Sequence, residues 1–159
     1  MIFVTVGNHY QGFERLVRKM DEIAGRIDEK VIMQIGTTEY KPVNAEYFSF
    51  IESFEEIEKL NKEARVVVSH AGVGSILTAL EQGTPVIIVP RLKKFDEHMD
   101  DHQLEIAEAL SQDQKIKVIQ NIEDIEAAIL KEYKDSKDSK KNETLINNIK
   151  NYLTGLKNE

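Results

Sequence analysis

The stretch Arg65-Val66-Val67-Val68-Ser69-His70-Ala71-Gly72-Val73-Gly74-Ser75 runs from a β-branched apolar segment straight into a glycine-containing turn. An apolar helix follows from Ile76 to Gln82, stopped by Gly83 and Pro85, and a further apolar run, Val86–Val89, ends at Pro90. Short continuous apolar runs, separated by helical segments and bounded by turn residues, are the pattern of parallel βαβ units. Working outward, the alternation repeats. Ile2–Val6 reads as a buried strand closed by Gly7-Asn8-His9. Phe13, Leu16, Val17, Met20 and Ile23 then recur at helical spacing, with Arg15, Arg18, Lys19 and Glu22 on the opposite face. Val31–Ile35 and Tyr47–Ile51 are predicted as the second and third strands, and Glu55–Lys62 as a polar helix. Beyond Pro90, residues 91–101 read as a polar loop, Gln103–Leu110 as a helix, and Ile116–Ile119 and Ile122–Tyr133 as a last strand and helix.

The pattern predicts a single α/β domain over residues 1–133, a Rossmann-like, doubly wound parallel sheet. Residues 134–143 are almost wholly Lys, Asp, Ser and Asn and predict a solvated linker. In residues 144–159, Leu145, Ile146, Ile149, Tyr152, Leu153 and Leu156 fall at helical spacing, which predicts a C-terminal amphipathic helix. Such a stripe needs an apolar surface to cover it, offered either by its own domain or by another chain.

Composition narrows the function. The 159 residues contain no cysteine, which excludes disulfides, thiolate metal sites and cysteine nucleophiles and favours a cytoplasmic location. A net charge of −7 argues against electrostatic binding to nucleic acid. No apolar run reaches the roughly 18–20 residues that cross a bilayer, so no direct membrane insertion is expected. The N-terminal segment lacks the basic region of a signal peptide.

In open parallel sheets ligands bind at the carboxyl ends of the strands. Three strand ends carry residues that a bare fold does not need. In Ser69–Ser75, Gly72 and Gly74 let backbone approach a ligand, the first turn of the helix attracts an anion, and Ser75 and His70 add polar groups. A tight βα turn would use the same glycines for geometry alone. The lack of a Walker lysine points away from a P-loop and towards a nucleotide diphosphate. The second is the run Arg91 to Gln103, rich in His, Asp and cations. Asp101 fits a helix N-cap there, and a metal site built from Glu97, His98, Asp101 and His102 is conceivable on weak spacing. His102 and Gln103 suit sugar hydroxyls or phosphate better. The third is Gly7-Asn8-His9, where His9 is the weak candidate for phosphate binding or proton exchange. No Ser-His-Asp or lysine-based covalent arrangement is evident, so direct transfer is expected. A receiver-type phosphate binder would want clustered acids at the first strand end, which Gly7-Asn8-His9 does not provide.

Ser69-His70-Ala71-Gly72-Val73-Gly74-Ser75, Ala79-Leu80, Gly83-Thr84-Pro85, Val89-Pro90 and Asp101-His102-Gln103-Leu104-Glu105 together resemble the family 28 C-terminal domain, the nucleotide-sugar-binding half of GT-B glycosyltransferases. Phe3-Val4-Thr5-Val6-Gly7, Phe13-Glu14-Arg15-Leu16 and Gln34-Ile35-Gly36 are similar to the subfamily of small soluble subunits of two-component enzymes, of the dolichol-oligosaccharide and bacterial exopolysaccharide types. The resemblance covers residues 1–130. It implies inverting transfer from a UDP-sugar to a polyprenyl-diphosphate-linked acceptor in exopolysaccharide, capsule or related glycan synthesis. Phe50 and Ile51 match the strand end that reads uracil, and Gly72, Gly74 and Ser75 the diphosphate loop. His102 and Gln103 match the pair at the donor sugar, Gly7, Asn8 and His9 the first phosphate-side loop, and Arg91 and His70 flank these elements. Thr78 stands where many GT-B proteins carry a ribose-binding Glu, which puts ribose binding or nucleotide preference in question. No metal or other cofactor is expected beyond the UDP-sugar substrate.

A GT-B enzyme has two such halves and this chain reads as one. The resemblance therefore implies a membrane-anchored, acceptor-binding partner subunit, which supplies the general base and recruits this chain from the cytoplasm to the inner face of the membrane. The Leu145–Leu156 stripe is the expected docking element. A different class of function, a non-catalytic nucleotide-sugar-binding regulatory subunit, fits the single domain and Thr78.

Overall fold

A computed structural model describes residues 1–131 and 143–157. The predicted linker and its flanks lie outside the described residues, save Glu143, which opens the last helix.

The strands β1 (Ile2–Thr5), β2 (Val31–Gln34), β3 (Glu46–Phe48), β4 (Val66–Ser69), β5 (Val86–Ile88) and β6 (Ile116–Val118) form one six-stranded sheet in the order β3-β2-β1-β4-β5-β6. Every pairing is parallel, with Ile2 opposite both Val31 and Val66. The order reverses between β1 and β4, which places the switch point, and so the natural ligand crevice, at the ends of those two strands.

Period-two alternation divides the core. Ile2, Val4, Val66, Val68 and Ile87 face one way, onto helix α1 (Glu14–Ala24) and helix α5 (Ile125–Leu130). Phe3, Val67, Val86 and Ile88 face the other way, towards α2 (Phe54–Glu63), α3 (Val73–Glu81), α4 (His102–Leu110) and α6 (Glu143–Lys157). Both faces are covered, as continuous apolar strands require. The α6 helix meets this second core through buried Ile146 and Ile149, and Lys150 pairs with Glu81 of α3 at 3.1 Å. Its described apolar positions are thus occupied by the domain itself. The side chains of Leu145, Tyr152, Leu153 and Leu156 lie outside the described residues. Among the described residues no helix is long and apolar enough to cross a membrane.

Four expectations are corrected. The helix after β4 begins at Val73, with Gly72 as its N-cap, so Gly74 and Ser75 belong to its first turn rather than to a loop. The third strand stops at Phe48, leaving Phe50 and Ile51 in the connection to α2. Residues 122–130 open as a 3-10 turn, Ile122–Asp124, before α5. Arg15, placed by periodicity on the solvent face, is folded under the segment after β5. There it makes a two-pronged contact with buried Glu97, 2.8 and 2.9 Å, and donates to Pro90 O at 3.1 Å.

Candidate donor site at the switch point

The ends of β1 and β4 open onto a cleft of about 460 Å³ between the sheet and helices α2 and α3. Gly7, Asn8, Ile51, His70, Gly72, Gly74, Ser75 and Thr78 all line it, so the first-strand loop, the α2 approach and the α3 turn meet there, while no residue of the run from Arg91 to Gln103 does. The other predicted site residues, His9, Phe50, Arg91, His102 and Gln103, do not line this cleft.

The α3 turn is the cleft's electrostatic feature. A helix leaves its first N–H groups unsatisfied, and here no side chain caps them. Gly74 sits in that turn, in helical backbone, with open space where a side chain would be: nothing lies within 4 Å of the point a Cβ would occupy. No packing requirement explains this glycine. An approaching anion would gain both the bare N–H groups and the helix dipole. Thr78 lies one turn on and donates its hydroxyl to Gly74 O at 2.9 Å, leaving only acceptor capacity towards the cleft. Glu81, nearby in sequence, turns away to Lys150.

His70 closes the crevice floor between two glycines. A Cβ at Gly7 would lie 2.3 Å from its Nε2, and one at Gly72 1.9 Å from its Cε1, so neither position tolerates a side chain beside the ring. Gly7 also has φ of 72°, the left-handed region. The ring is buried, with Nε2 3.4 Å from Ser75 Oγ and Nδ1 3.1 Å from Gln103 Nε2. Burial, helped by the charge of Arg91, pushes the His70 pKa down to about 3, so the imidazole stays neutral.

His9 is stacked on Tyr10 and tilted against His98, ring centroids 4.6 and 4.5 Å away. Its Nδ1 accepts from Gln11 N at 3.1 Å. Burial, then Arg91 and His98, lower its pKa, so the neutral ring carries its proton on Nε2. In that form Nε2 donates, which suits a phosphate oxygen and does not suit a general base. Arg91 is fully buried, and its guanidinium bonds Val6 O at 2.7 Å, Gln11 O at 2.8 Å, Glu97 O at 3.0 Å and Gly12 O at 3.3 Å. It clamps the first-strand loop to the segment after β5. His102 is half-exposed at the head of α4, its Nδ1 3.5 Å from Glu105 Oε2. Phe50 is exposed near Gly36.

The conceivable metal grouping is corrected. Glu97 is committed to Arg15 and Leu92 N, and Asp101 stands at the N-cap position of α4 as expected, with its carboxylate accepting from Lys93 N and not from the helix's first turn. Among the described residues no three His, Asp or Glu side chains gather to hold an ion. Sequence reasoning missed Thr5, Gln34, Glu52, Phe54, Ile57 and Asn61 as lining residues. Gln34 had a signal, a polar residue in a buried strand; it accepts from Thr5 Oγ1 at 3.3 Å and donates to Asn8 Oδ1 at 3.5 Å.

Neutral His70 makes stability depend on pH. The unfolded chain protonates this ring below about 6.5, whereas the folded chain does so only near 3. Stability is therefore full above pH 6.5 and falls as pH drops through that window, by up to about 1.4 kcal/mol per pH unit. The depressed carboxylates Asp21 and Glu29 act only below their ordinary range, near 4. Urea unfolding between pH 6.5 and 5 should show this slope, with His9 contributing in the same direction. His70→Gln should flatten it, and an unchanged slope would reject the buried neutral imidazole.

The comparisons agree with this architecture. Among solved structures, the glycotransferase of kitacinnamycin matches with a TM-score of 0.59 at 17% identity, over 97% of this chain and 39% of that one. The calicheamicin glycosyltransferase CalG4 matches with 0.58 at 18%, over 94% and 37%. MurG of Acinetobacter baumannii matches with 0.54 at 21%, over 80% and 39%. The chain thus shares the fold of somewhat over a third of each of these glycosyltransferases. Among curated proteins, the chain is 32% identical over 120 residues to the human UDP-N-acetylglucosamine transferase subunit ALG13, covering 69% of this chain and 10% of that protein. It is 38% identical over 76 residues to the subunit of the same name from Cryptococcus neoformans, covering 46% and 36%. The chain therefore spans well under two thirds of these relatives' length. The description "glycosyltransferase family 28 C-terminal domain" matches residues 1–153, and the chain belongs to that family.

Proposed function

We propose that this chain is the donor-binding subunit of a heteromeric, inverting glycosyltransferase that moves a sugar from a UDP-sugar to a polyprenyl-diphosphate-linked acceptor. The observation that carries the reading is the uncapped first turn of α3, left open at Gly74 and facing the switch-point cleft. In the reaction, an acceptor hydroxyl oxygen forms a bond to the anomeric carbon as the bond from that carbon to the diphosphate oxygen breaks. UDP leaves with the electron pair, and the hydroxyl proton passes to a base. In this reading the α3 N–H groups, with Ser75 and His70, stabilise the charge growing on the leaving diphosphate. Relatives named as UDP-N-acetylglucosamine transferase subunits make UDP-N-acetylglucosamine the first donor to try.

The base is assigned to a membrane-anchored, acceptor-binding partner, which recruits this chain to the cytoplasmic face of the membrane. Support comes from the two imidazoles near the cleft: the Gln103 amide takes the lone pair of His70 Nδ1, leaving Nε2 as a donor, and His9 outside the cleft also presents a donor. The glycan is taken to be of the exopolysaccharide or capsule type, in line with the sequence resemblance. Thr78 at the ribose-side position is the feature favouring a regulatory, non-catalytic subunit instead.

Reconstitution separates the two. Sugar transfer from UDP-N-acetylglucosamine should need both chains and should fall at least about tenfold with Ser75→Ala, the loss of one charge-assisted bond. A partner that transfers sugar equally well alone would sink the catalytic reading and leave the regulatory one.

A further inference from the structure

The sequence resemblance put Gln103 at the donor sugar, but its side chain is buried beneath the crevice and three neighbours take up its amide. Oε1 accepts from Ala71 N and from Arg91 N, each at 3.1 Å. Both partners are backbone N–H groups and can only donate, so the carboxamide has one chemically acceptable orientation. That orientation turns Nε2 towards His70 Nδ1, 3.1 Å away. An amide nitrogen only donates, so Nδ1 must carry a lone pair, and a neutral ring must then hold its proton on Nε2. Nε2 is the atom facing Ser75 Oγ and the first turn of α3. The ring cannot swing away, because Gly7 and Gly72 leave only enough room for it.

We infer that Gln103 is a positioning residue that fixes His70 in the Nε2–H tautomer, making the ring a neutral hydrogen-bond donor to the anion held at the α3 turn. The tautomer stands on the geometry alone, and the identity of the anion as a nucleoside diphosphate rests on the proposed function. The device suits a buried site. Burial keeps the ring uncharged, so only the Nε2–H tautomer lets it donate towards the α3 turn. The charged and titratable groups that bear on the ring are Arg91, His9 and His98, all of which disfavour a second proton. Gln103 also ties α4 and the segment after β5 to the anion turn through one side chain, which explains a polar residue at that depth.

Long-range proton–nitrogen correlation on uniformly labelled protein reads the tautomer directly, without any nucleotide. The wild-type His70 ring should show a protonated Nε2 and a bare Nδ1 from pH 5 to 8. In Gln103→Glu a carboxylate keeps the Ala71 and Arg91 contacts but presents an acceptor to Nδ1. The ring should then take up a proton there, with its pKa raised by roughly two units or more. Gln103→Met, which removes the donor without adding charge, should give mixed tautomers and bind UDP about tenfold more weakly. A wild-type ring protonated on Nδ1 would overturn the inference, as would a Gln103→Glu ring that keeps the wild-type tautomer and titration. Mixed tautomers in Gln103→Met with undiminished UDP affinity would remove the donor role. A wild-type ring protonated on Nε2 in a chain that binds no UDP would contradict the proposed function and the anion, while supporting the tautomer lock.

Discussion

Gly74→Asp should abolish UDP binding, by a hundredfold or more, and leave the fold at least as stable as the parent. The two effects have opposite signs because one new carboxylate is attracted by the positive end of α3 and repels the diphosphate. Gly74 sits in helical backbone with open space at its Cβ position, so a side chain enters without a clash. Replacing a helical glycine restricts the unfolded chain, and a carboxylate in the first turn of α3 meets the positive end of the dipole; each adds roughly 0.3–1 kcal/mol. The same carboxylate occupies the ground that a diphosphate would take. Two like charges about 4 Å apart at a protein surface repel by about 4 kcal/mol, enough for a hundredfold loss with screening allowed for. Urea unfolding and calorimetric titration check the two arms. Loss of stability would mean that the turn is packed and not open, and retained binding would mean that the nucleotide sits elsewhere.

Arg91→Met should cost about 3–5 kcal/mol of folding stability, a large share of the roughly 5–15 kcal/mol that a domain commonly has. The guanidinium donates to the carbonyls of Val6 and Glu97, and it also bonds Gln11 O and Gly12 O. Its face lies against Phe13, 4.9 Å from the ring centroid. Burial pulls its pKa down to about 10, so the charge is already held at some cost, and the carbonyl cage offsets it. Methionine fills the volume but takes the donor away from those oxygens. Arg91→Lys should recover only part of the loss, because one ammonium cannot span oxygens on three segments. A loss under about 1 kcal/mol in urea unfolding would show that the cage does not organise the site.

Both residues show where the sequence was informative. The valines of β4 announced a strand buried on both faces, and the spacing of Phe13, Leu16, Val17 and Met20 announced α1, because burial on a sheet leaves a local periodic trace. The glycines and Ser75 were legible for the same reason: a strand end followed by a helix start is a local signal. What the sequence concealed is long-range. Arg15 and Glu97 are 82 residues apart, and nothing around Arg15 distinguishes a cation facing water from one folded beneath a later segment. Gln103 lies 33 residues from His70, and its burial follows from the segment after β5 arriving above it. The end of β3 was misplaced because it is an edge strand with exposed side chains, so no two-sided apolar pattern marks where pairing stops. Lining by Asn61 and Ile57 depends on how α2 lies across the sheet, which periodicity does not give.

The function proposed for this chain depends on a nucleoside diphosphate binding at its α3 turn. Titration of the labelled chain with UDP, followed through its backbone amide spectrum, tests it most directly. Saturable shifts should centre on Val73, Gly74 and Ser75, with Gly7 and Asn8 moving in step, and none of them should appear in Gly74→Asp. A folded chain whose amides do not respond, or whose saturable shifts centre on the groove lined by Lys117, Asn121 and Lys131, would contradict it.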